Sequence, residues 1–379
     1  MAMSNCLGDA IPVVVDALRS GRSGLATGLL GACVGAVDLE TAFDNAGFAR
    51  VTGGDARLLR LALRALVPVQ PALTAACRRW GRDRVAMVVG TSTAGMDCTE
   101  HAYAHLCQHG ALPDGYDLHR HHAFAALTDG LAAAGDVGGP RYVISTACTS
   151  SAHAFCSAAR LLHGEVADAV LVGGVDTLCG MTLRGFASLG ILSAQPCRPF
   201  GAGREGINIG EGAAFVLLEK EGDAAVGFYG GGQTSDAHHM SAPHPEGIGV
   251  ASAMGQALQR AGLDTSQIDY VNAHGTGTKL NDSAEALAIE KVLGNGVAVS
   301  STKGLTGHLL GASGATEAVF SALAIEHGFL PPSRGSTPQD PSIRLNVVAQ
   351  TRFQRVRFVL SNTCAFGGNN ASLVFGAMS

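Results

Sequence analysis

The sequence predicts an α/β fold in which helices cover both faces of mainly parallel sheets. Seven short runs are rich in Val, Ile and Leu and lack the alternation of a half-exposed strand; they are residues 83–90, 141–146, 168–174, 212–219, 268–275, 357–362 and 371–376. Helical patterns at 251–262, 283–293 and 314–327 separate several of these runs. Continuous apolar strands need cover on both faces, so we expect alternating layers of sheet and helix.

The length of the chain bounds its domain organisation. At 379 residues it can form two domain-sized units or one large composite fold. The composition shifts within "EKEGDAAVG" (219–227), and no Pro/Ser-rich linker marks that point. We therefore expect two halves, 1–222 and 223–379, that pack into one body.

Composition and charge exclude several classes of function. Hydrophobic residues make up 47% of the chain and charged residues 15%, so we expect an oligomer. The net charge of -5 excludes a generally basic nucleic-acid binder. No apolar run approaches the roughly 18 residues of a membrane span and no leader pattern opens the chain, which predicts a cytoplasmic protein. The 10 cysteines include no CxxC pair, so we expect neither a metal site nor a disulfide framework.

Cys148 stands where a predicted strand meets a predicted helix. Small residues surround it in "STACTSSA" (145–152), and the helix should begin near Ser150. The N-terminus of a helix favours an anion, so a thiol at that point should have a lowered pKa and act as a nucleophile. From these residues alone, a buried structural cysteine is an equally good interpretation.

A first histidine-bearing turn provides partners for such a nucleophile. "VNAHGTGT" (271–278) ends an apolar run with His274 and continues into a glycine-rich turn. The hydroxyls of Thr276 and Thr278 are suited to hydrogen-bond a ligand. A single histidine is more often a structural group, but a second such turn elsewhere in the chain strengthens the functional interpretation, since binding and catalytic residues concentrate on loops.

That second turn lies in "SSTKGLTGHLLGASGATEA" (300–318). It offers Lys303 and His308 among glycines and hydroxyl residues, and Glu317 follows in a predicted helix. Further along, "SNTCAFGGNNASLVFG" (361–376) places Phe366 next to Gly367-Gly368. Glycines permit a tight hinge there, and an aromatic side chain beside a hinge can act as a gate. The alternative is an ordinary strand-turn-strand with a core phenylalanine.

Six separated motifs occur in order along the chain: "TACTSSAHAF", "VGGVDTL", "GINIGEGAAFVLLE", "VNAHGTGT", "STKGLTGHLLGASGATEA" and "NTCAFGGNNASLVF". Together they resemble the successive signatures of the elongating beta-ketoacyl-acyl carrier protein synthases, the ketosynthases of fatty acid and polyketide assembly. This resemblance implies a thiolase-like fold, in which two duplicated α/β halves form a five-layer αβαβα stack, and a dimer.

The resemblance also implies a role for each catalytic candidate. Cys148 would take the acyl chain from a carrier-protein thioester. His274 and His308 would serve malonyl decarboxylation and hold the resulting enolate oxygen. Lys303 would lie beside His308, with Glu317 as its partner.

Further roles follow from the same resemblance. The oxyanion hole would consist of the backbone N–H groups of Cys148 and Phe366, and Phe366 would gate the substrate channel. Thr276 and Thr278 would bind the phosphopantetheine arm. No metal or bound cofactor is implied, because phosphopantetheine arrives on the acyl carrier protein.

The expected function is therefore decarboxylative Claisen condensation of an acyl chain on Cys148 with malonyl-acyl carrier protein, in fatty acid or specialised polyene or polyketide biosynthesis. The expected partners are the carrier protein and either an identical subunit or a chain-length-factor-like subunit. The alternative is a non-catalytic or weakly catalytic chain-length partner, although such relatives lack the nucleophile. An initiating synthase would pair histidine with asparagine, and a thiolase would use a second cysteine as its base.

Three features depart from the family pattern. In "CRPFGAGREG", Gly201 and Ala202 stand where the family more often has an acidic residue. The opening "MAMSNCLGDAIPVVVDALRS" reaches an early helix without the usual apolar first strand, so we expect an edge strand to be missing or replaced. Cys364 stands two residues before Phe366, where many relatives carry a second aromatic. A smaller residue there would widen the acyl tunnel and favours a specialised ketosynthase over housekeeping fatty acid synthesis.

A basic helix face is the predicted docking site for the acidic carrier protein. "DARLLRLALRAL" places Arg57, Arg60 and Arg64 at helical spacings on one side. A solvated helix face without a partner explains the same pattern equally well.

Charge reversal at Arg57 and Arg60 tests the docking role. We expect a higher apparent KM for carrier-bound substrate and an unchanged KM for small thioester mimics, because only the carrier would contact this face. Steady-state kinetics with both substrates measures the difference. Equal effects on the two substrates would reject the role.

Overall fold

Sheets and helices alternate along most of the chain in the computed structural model, which describes residues 1–39 and 56–378. The strands of the first half are β1 Ala2–Asn5, β2 Ala26–Thr27, β3 Cys33–Gly35, β4 Val85–Gly90, β5 Arg141–Ile144, β6 Ala169–Asp176, β7 Ile209–Gly210 and β8 Gly212–Glu219. Those of the second half are β9 Val226–Ser235, β10 Tyr270–Asn272, β11 Ala298–Ser300, β12 Phe329–Leu330, β13 Asn346–Val347, β14 Arg352–Phe353, β15 Phe358–Cys364 and β16 Asn369–Ala377.

The α-helices follow the same division of the chain. The first half contains α1 Ile11–Ser20, α2 Arg57–Leu66, α3 Gln70–Trp80, α4 Met96–His109, α5 Leu118–His121, α6 Phe124–Gly135, α7 Ser150–His163 and α8 Gly180–Ser188. The second half contains α9 Ile248–Ala261, α10 Lys279–Leu293, α11 Lys303–Thr306 and α12 Ser313–His327. All seven predicted strands and the three predicted helices are present.

The two large sheets have equivalent strand orders. The first runs β1-β8-β6-β4-β5 and the second runs β13-β11-β10-β15-β16-β9. In each sheet the central strands are parallel, and two antiparallel strands complete one side. Apart from the added β13, β9 is therefore the counterpart of β1, β10 of β4, β11 of β5, β15 of β6 and β16 of β8. The duplicated α/β halves implied by the resemblance are confirmed.

Three layers of helix enclose the two sheets. Helices α7 and α12 contact strands of both sheets and form the middle layer, α2, α3 and α6 cover the first sheet, and α9 and α10 cover the second. Phe155 and Phe320 belong to the apolar cluster between the sheets, whereas Leu61 and Met254 belong to the two outer clusters. This is the expected five-layer αβαβα stack, and it places the N-termini of α7 and α12 near the centre of the molecule.

The first sheet begins with a strand that the sequence does not reveal. β1 pairs antiparallel with β8, with Ala2 opposite Phe215 and Asn5 opposite Gly212, and all four of its residues are buried. The expectation of a missing edge strand is therefore wrong. The strand is only four residues long and half of it is Ser and Asn, so it lacks the apolar run that identifies the other strands.

The helical stretch Arg57–Trp80 is long and apolar enough, by length and composition, to cross a membrane. A short 3₁₀ turn containing Pro68 divides it into α2 and α3, and 50% of its apolar window is buried inside the protein. Leu66 and Leu73 on this stretch pack in the outer core of the first sheet. The packing identifies the stretch as a core element of the fold.

The three arginines on α2 anchor a neighbouring segment. Arg57, Arg60 and Arg64 each donate to a backbone carbonyl within residues 37–39. Arg57 also forms an ion pair with the carboxylate of Glu211, which is fully buried. Carrier docking on this face remains a prediction, and Arg60 is the cleanest position at which to test it, because reversal at Arg57 also leaves Glu211 without its partner.

Two glycine-to-alanine changes should affect stability in opposite directions. A Cβ at Gly90 would lie 2.2 Å from the backbone nitrogen of Ser151, so G90A would push α7 off β4 and cost about 1–3 kcal/mol or more. A Cβ at Gly255, on the exposed face of α9, meets no atom within 4 Å, so G255A should add about 0.5–1 kcal/mol. Urea unfolding measures both changes. Equal stabilities would contradict the close approach at Gly90.

Candidate active site

Cys148 lies in the turn between β5 and α7, at the N-terminal end of that helix. The residue before it, Ala147, has a φ of 51°, a left-handed conformation that costs a non-glycine residue about 1–2 kcal/mol. Hydrogen bonds hold the turn in place: the Ala147 carbonyl accepts from the hydroxyls of Ser92 at 2.9 Å and Ser150 at 2.6 Å. The backbone is thus constrained from two sides at the point where the thiol emerges.

The two predicted histidines meet at the carboxyl edge of the second sheet. His274 follows β10, and His308 follows the neighbouring parallel strand β11 through α11. Their ring centroids are 5.1 Å apart and the rings are nearly perpendicular, at 85°. Together with Cys148 they line one cavity of about 640 Å³. The structure therefore brings the three motifs into a single pocket.

Both imidazoles are neutral at physiological pH. Burial lowers the pKa of His274 and His308 well below the usual histidine value, and the positive charge of Lys303 lowers both further. His308 Nδ1 lies 2.8 Å from the hydroxyl of Ser313, whereas His274 Nδ1 is buried without a hydrogen-bond partner among the described residues. Each neutral ring has one N–H that can donate a hydrogen bond and one nitrogen that can accept a hydrogen bond or a proton.

Burial is also the largest influence on the pKa of the Cys148 thiol, and it raises that pKa to about 12. The charge of Lys303 and the backbone N–H groups of Phe366 and Cys148 act in the opposite direction but do not overcome it. The predicted lowering of this pKa is therefore wrong, because removal of the thiol from water outweighs its place at a helix N-terminus. The resting group is a neutral thiol, which must pass its proton to a base when it reacts.

Lys303 and Glu317 form a buried ion pair beside the histidines. The Lys303 ammonium donates to the Glu317 carboxylate, and both side chains are almost wholly enclosed. Burial raises the pKa of Glu317, while the Lys303 charge opposes that change. A buried charge of each sign needs its partner, so the pair keeps a cation next to the catalytic pocket.

The remaining predicted site residues line the same cavity. Phe366, Thr276 and Thr278 are all at its wall, and Cys364 lies there too. The threonine hydroxyls are 2.9 Å apart. Gly367 and the glycine after it have φ values of 83° and 78°, which form the tight hinge expected next to Phe366.

Asp176, at the end of β6, is a buried carboxylate that the analysis of the sequence did not select. Its oxygens accept hydrogen bonds from the backbone of Ser92 and Thr93, and from Gly311 N–H at 2.6 Å. It thus ties the loop after β4 to the loop after His308. The only sequence signal was an acidic residue at the end of an otherwise apolar run.

Two further carboxylates on α10 hold the His274 turn. Glu285 accepts hydrogen bonds from the N–H groups of His274 and Gly275, both at 2.8 Å. Asp282 accepts from Gly277 N–H at 3.1 Å. Burial raises the pKa of Glu285 to about 7 and that of Asp282 to about 6. Acidic residues three apart on a buried helix face were the missed signal.

The lowered histidine pKa values predict a loss of stability in acid. Below about pH 6.5 the unfolded chain binds protons at these histidines and the native state does not, so their contribution to the free energy of unfolding falls as the pH falls. Glu285 and Asp282 contribute in the opposite direction, because their raised pKa values make the native state bind protons more readily than the unfolded chain. At pH 5 the loss should reach about 2 kcal/mol per histidine. Urea titrations at pH 5, 6 and 7 should show a smaller fall in the H274Q/H308Q double variant. Parallel curves for the two proteins would contradict neutral buried imidazoles.

Comparisons with known proteins agree with this geometry. The family model for the beta-ketoacyl synthase N-terminal domain matches residues 75–224, and the model for the C-terminal domain matches residues 228–337. The chain is similar to Nodulation protein E of Rhizobium meliloti, with 35% identity over 331 residues that cover 83% of this chain and 82% of that protein. It is 34% identical to 3-oxoacyl-[acyl-carrier-protein] synthase 2 of Staphylococcus aureus over 321 residues, 77% of each chain.

Solved structures show the same similarity over the whole chain. A chain from the complex of the Xenorhabdus doucetiae ketosynthase ApeO with its chain length factor ApeC aligns with a TM-score of 0.92 and 37% identity, covering 100% of this chain and 96% of that one. A chain of the ishigamide ketosynthase/chain length factor aligns with a TM-score of 0.89 and 28% identity, covering 100% and 98%. This chain belongs to the beta-ketoacyl synthase family, and it is an acyltransferase that forms carbon–carbon bonds in fatty acid or polyketide synthesis.

Proposed function

We propose that this chain is the catalytic subunit of a condensing enzyme that elongates an acyl chain held on Cys148 with a malonyl unit from an acyl carrier protein. The observation that supports this most directly is the shared cavity of Cys148, His274 and His308. A chain-length partner needs no nucleophile, whereas this pocket holds a thiol facing two neutral imidazoles.

Acyl transfer is the first half-reaction. The Cys148 sulfur attacks the carbonyl carbon of the incoming thioester, and its proton passes to a neutral imidazole. The carbonyl oxygen becomes an oxyanion, which the backbone N–H groups of Cys148 and Phe366 stabilise; one such donor contributes on the order of 100-fold to 1000-fold. Collapse of the adduct breaks the old C–S bond and releases the carrier thiol, which recovers a proton. One thioester replaces another at little cost in free energy.

Malonyl decarboxylation and condensation form the second half-reaction. The bond between the malonyl carboxylate and the methylene carbon breaks, CO₂ leaves, and the electron pair moves into an enolate. His274 and His308, as neutral donors, hydrogen-bond the enolate oxygen in a pocket that excludes water. The enolate carbon attacks the acyl carbonyl, the C–S bond to Cys148 breaks, and the released sulfur takes up a proton from solvent, which restores the resting thiol. The product is a beta-ketoacyl chain two carbons longer.

The carrier protein delivers both substrates in this proposal. Its phosphopantetheine arm would extend through the cavity past the hydroxyls of Thr276 and Thr278, so no separate cofactor is required. We place the enzyme in the cytoplasm. Small Cys364 at the cavity wall leaves room near the thiol for an unusual chain.

A chain-length-factor-like subunit is the proposed dimer partner. The support is the similarity to chains from two ketosynthase and chain length factor complexes, at 37% and 28% identity. The presence of Cys148 assigns this chain the catalytic position in such a pair. Pairing with a chain-length-factor-like subunit would suit a specialised polyketide or polyene pathway better than housekeeping fatty acid elongation.

Replacement of Cys148 by alanine separates the two half-reactions. C148A should lose acyl loading and condensation entirely, but retain decarboxylation of malonyl-carrier to acetyl-carrier, because the imidazoles that stabilise the enolate are intact. Intact-protein mass after incubation with acyl-carrier thioesters reports loading, and mass spectrometry of the carrier reports decarboxylation. C156A, a core cysteine in α7, is the control and should still load. Acyl loading that persists in C148A would overturn the proposal.

A further inference from the structure

Asn208 is a buried polar residue that the proposed chemistry does not use. It is 1% exposed, and its side chain satisfies three backbone groups of one loop. Oδ1 accepts from Cys197 N–H at 2.6 Å, and Nδ2 donates to the carbonyls of Ser193 and Gln195, each at 3.1 Å. The loop 193–197 therefore wraps around this amide, and its shape depends on these three hydrogen bonds. An apolar side chain would leave all three groups unpaired, at about 1–3 kcal/mol each.

The loop held by Asn208 reaches the catalytic lysine. The Cys197 thiol donates to the backbone carbonyl of Lys303 at 3.3 Å. Burial raises the pKa of Cys197 to about 12, so the sulfur keeps the proton that it donates. The start of α11, where Lys303 lies, thus rests on a loop whose shape depends on one amide side chain.

The backbone of Asn208 holds the second catalytic loop. Its carbonyl accepts from His308 N–H at 2.7 Å, and Gly210 N–H donates to the His308 carbonyl at 2.9 Å. Ile209 pairs with His308 as a parallel bridge. One residue therefore contacts His308 directly through its main chain and Lys303 indirectly through Cys197.

We infer that Asn208 is a positioning residue for the malonyl half-reaction: it fixes the distance between Lys303 and His308. Acyl loading depends on the turn at Cys148, which Asn208 does not contact. Its base in this inference is His274, whose turn Glu285 holds, so the two half-reactions should respond differently to the loss of Asn208. A residue that only supports the fold would affect both equally. The inference rests on the proposed use of His308 and Lys303 in decarboxylation.

The variant N208A should slow malonyl decarboxylation by about 10-fold to 100-fold, the cost of a small misplacement of catalytic groups, while acyl loading of Cys148 stays within about 2-fold of wild type. C197A should slow decarboxylation as well, and C197S should restore it, because the hydroxyl replaces the donated hydrogen bond. In the N208A/C197A double variant the two effects should not add, since both act through the Lys303 carbonyl.

N5A is the matched control for the loss of a buried asparagine. Asn5 is 3% exposed, its side chain accepts from Leu7 N–H at 2.8 Å, and none of its hydrogen bonds among the described residues reaches the loops that carry Lys303 and His308. N5A should lower stability without changing the ratio of the two half-reaction rates. Equal slowing of loading and decarboxylation in folded N208A, or no slowing in C197A, would overturn the positioning role. Absence of decarboxylation in the wild-type protein would instead refute the proposed function.

Discussion

Removal of water from the centre of the stack is the constraint on which the site depends. It keeps Cys148 as a thiol and the imidazoles of His274 and His308 uncharged, so the resting pocket holds three neutral reacting groups. Lys303, the cation that lowers the pKa of both imidazoles, is enclosed together with the carboxylate of Glu317, and Arg204 also lines the cavity. In such surroundings a developing negative charge meets fixed donors and little solvent, which makes each donor more effective than in water.

Buried carboxylates hold the loops that carry the reacting side chains in place. Asp176, Glu285 and Asp282 bind the backbone N–H groups of the loops on which the reacting side chains lie. A buried carboxylate needs hydrogen-bond donors, and the buried N–H groups of a loop need acceptors. Each carboxylate–loop contact meets both needs. Asn208 holds the loop 193–197 in the same way, through an uncharged amide.

Much of this could be predicted from the sequence. The apolar strands and three helices followed from their patterns, and the motifs around Cys148, His274 and His308 identified residues that the structure brings into one pocket. β1 was not predicted because it is short and half of its residues are polar. The direction of the Cys148 pKa change could not be predicted, because the depth at which the thiol is buried depends on how the layers pack and not on the local sequence. The carboxylates that hold the loops could not be selected because their partners are main-chain groups distant in sequence.

The equivalent strand orders of the two sheets place reacting groups at equivalent positions in the two halves of the chain. Cys148 lies between β5 and the middle-layer helix α7, and His308 lies between the counterpart strand β11 and the middle-layer helix α12. The proposed acyl acceptor of one half and the proposed enolate-stabilising group of the other thus occupy the same place in a repeated unit. Each repeat supplies only part of the set of reacting groups, so neither half alone could carry out the proposed condensation.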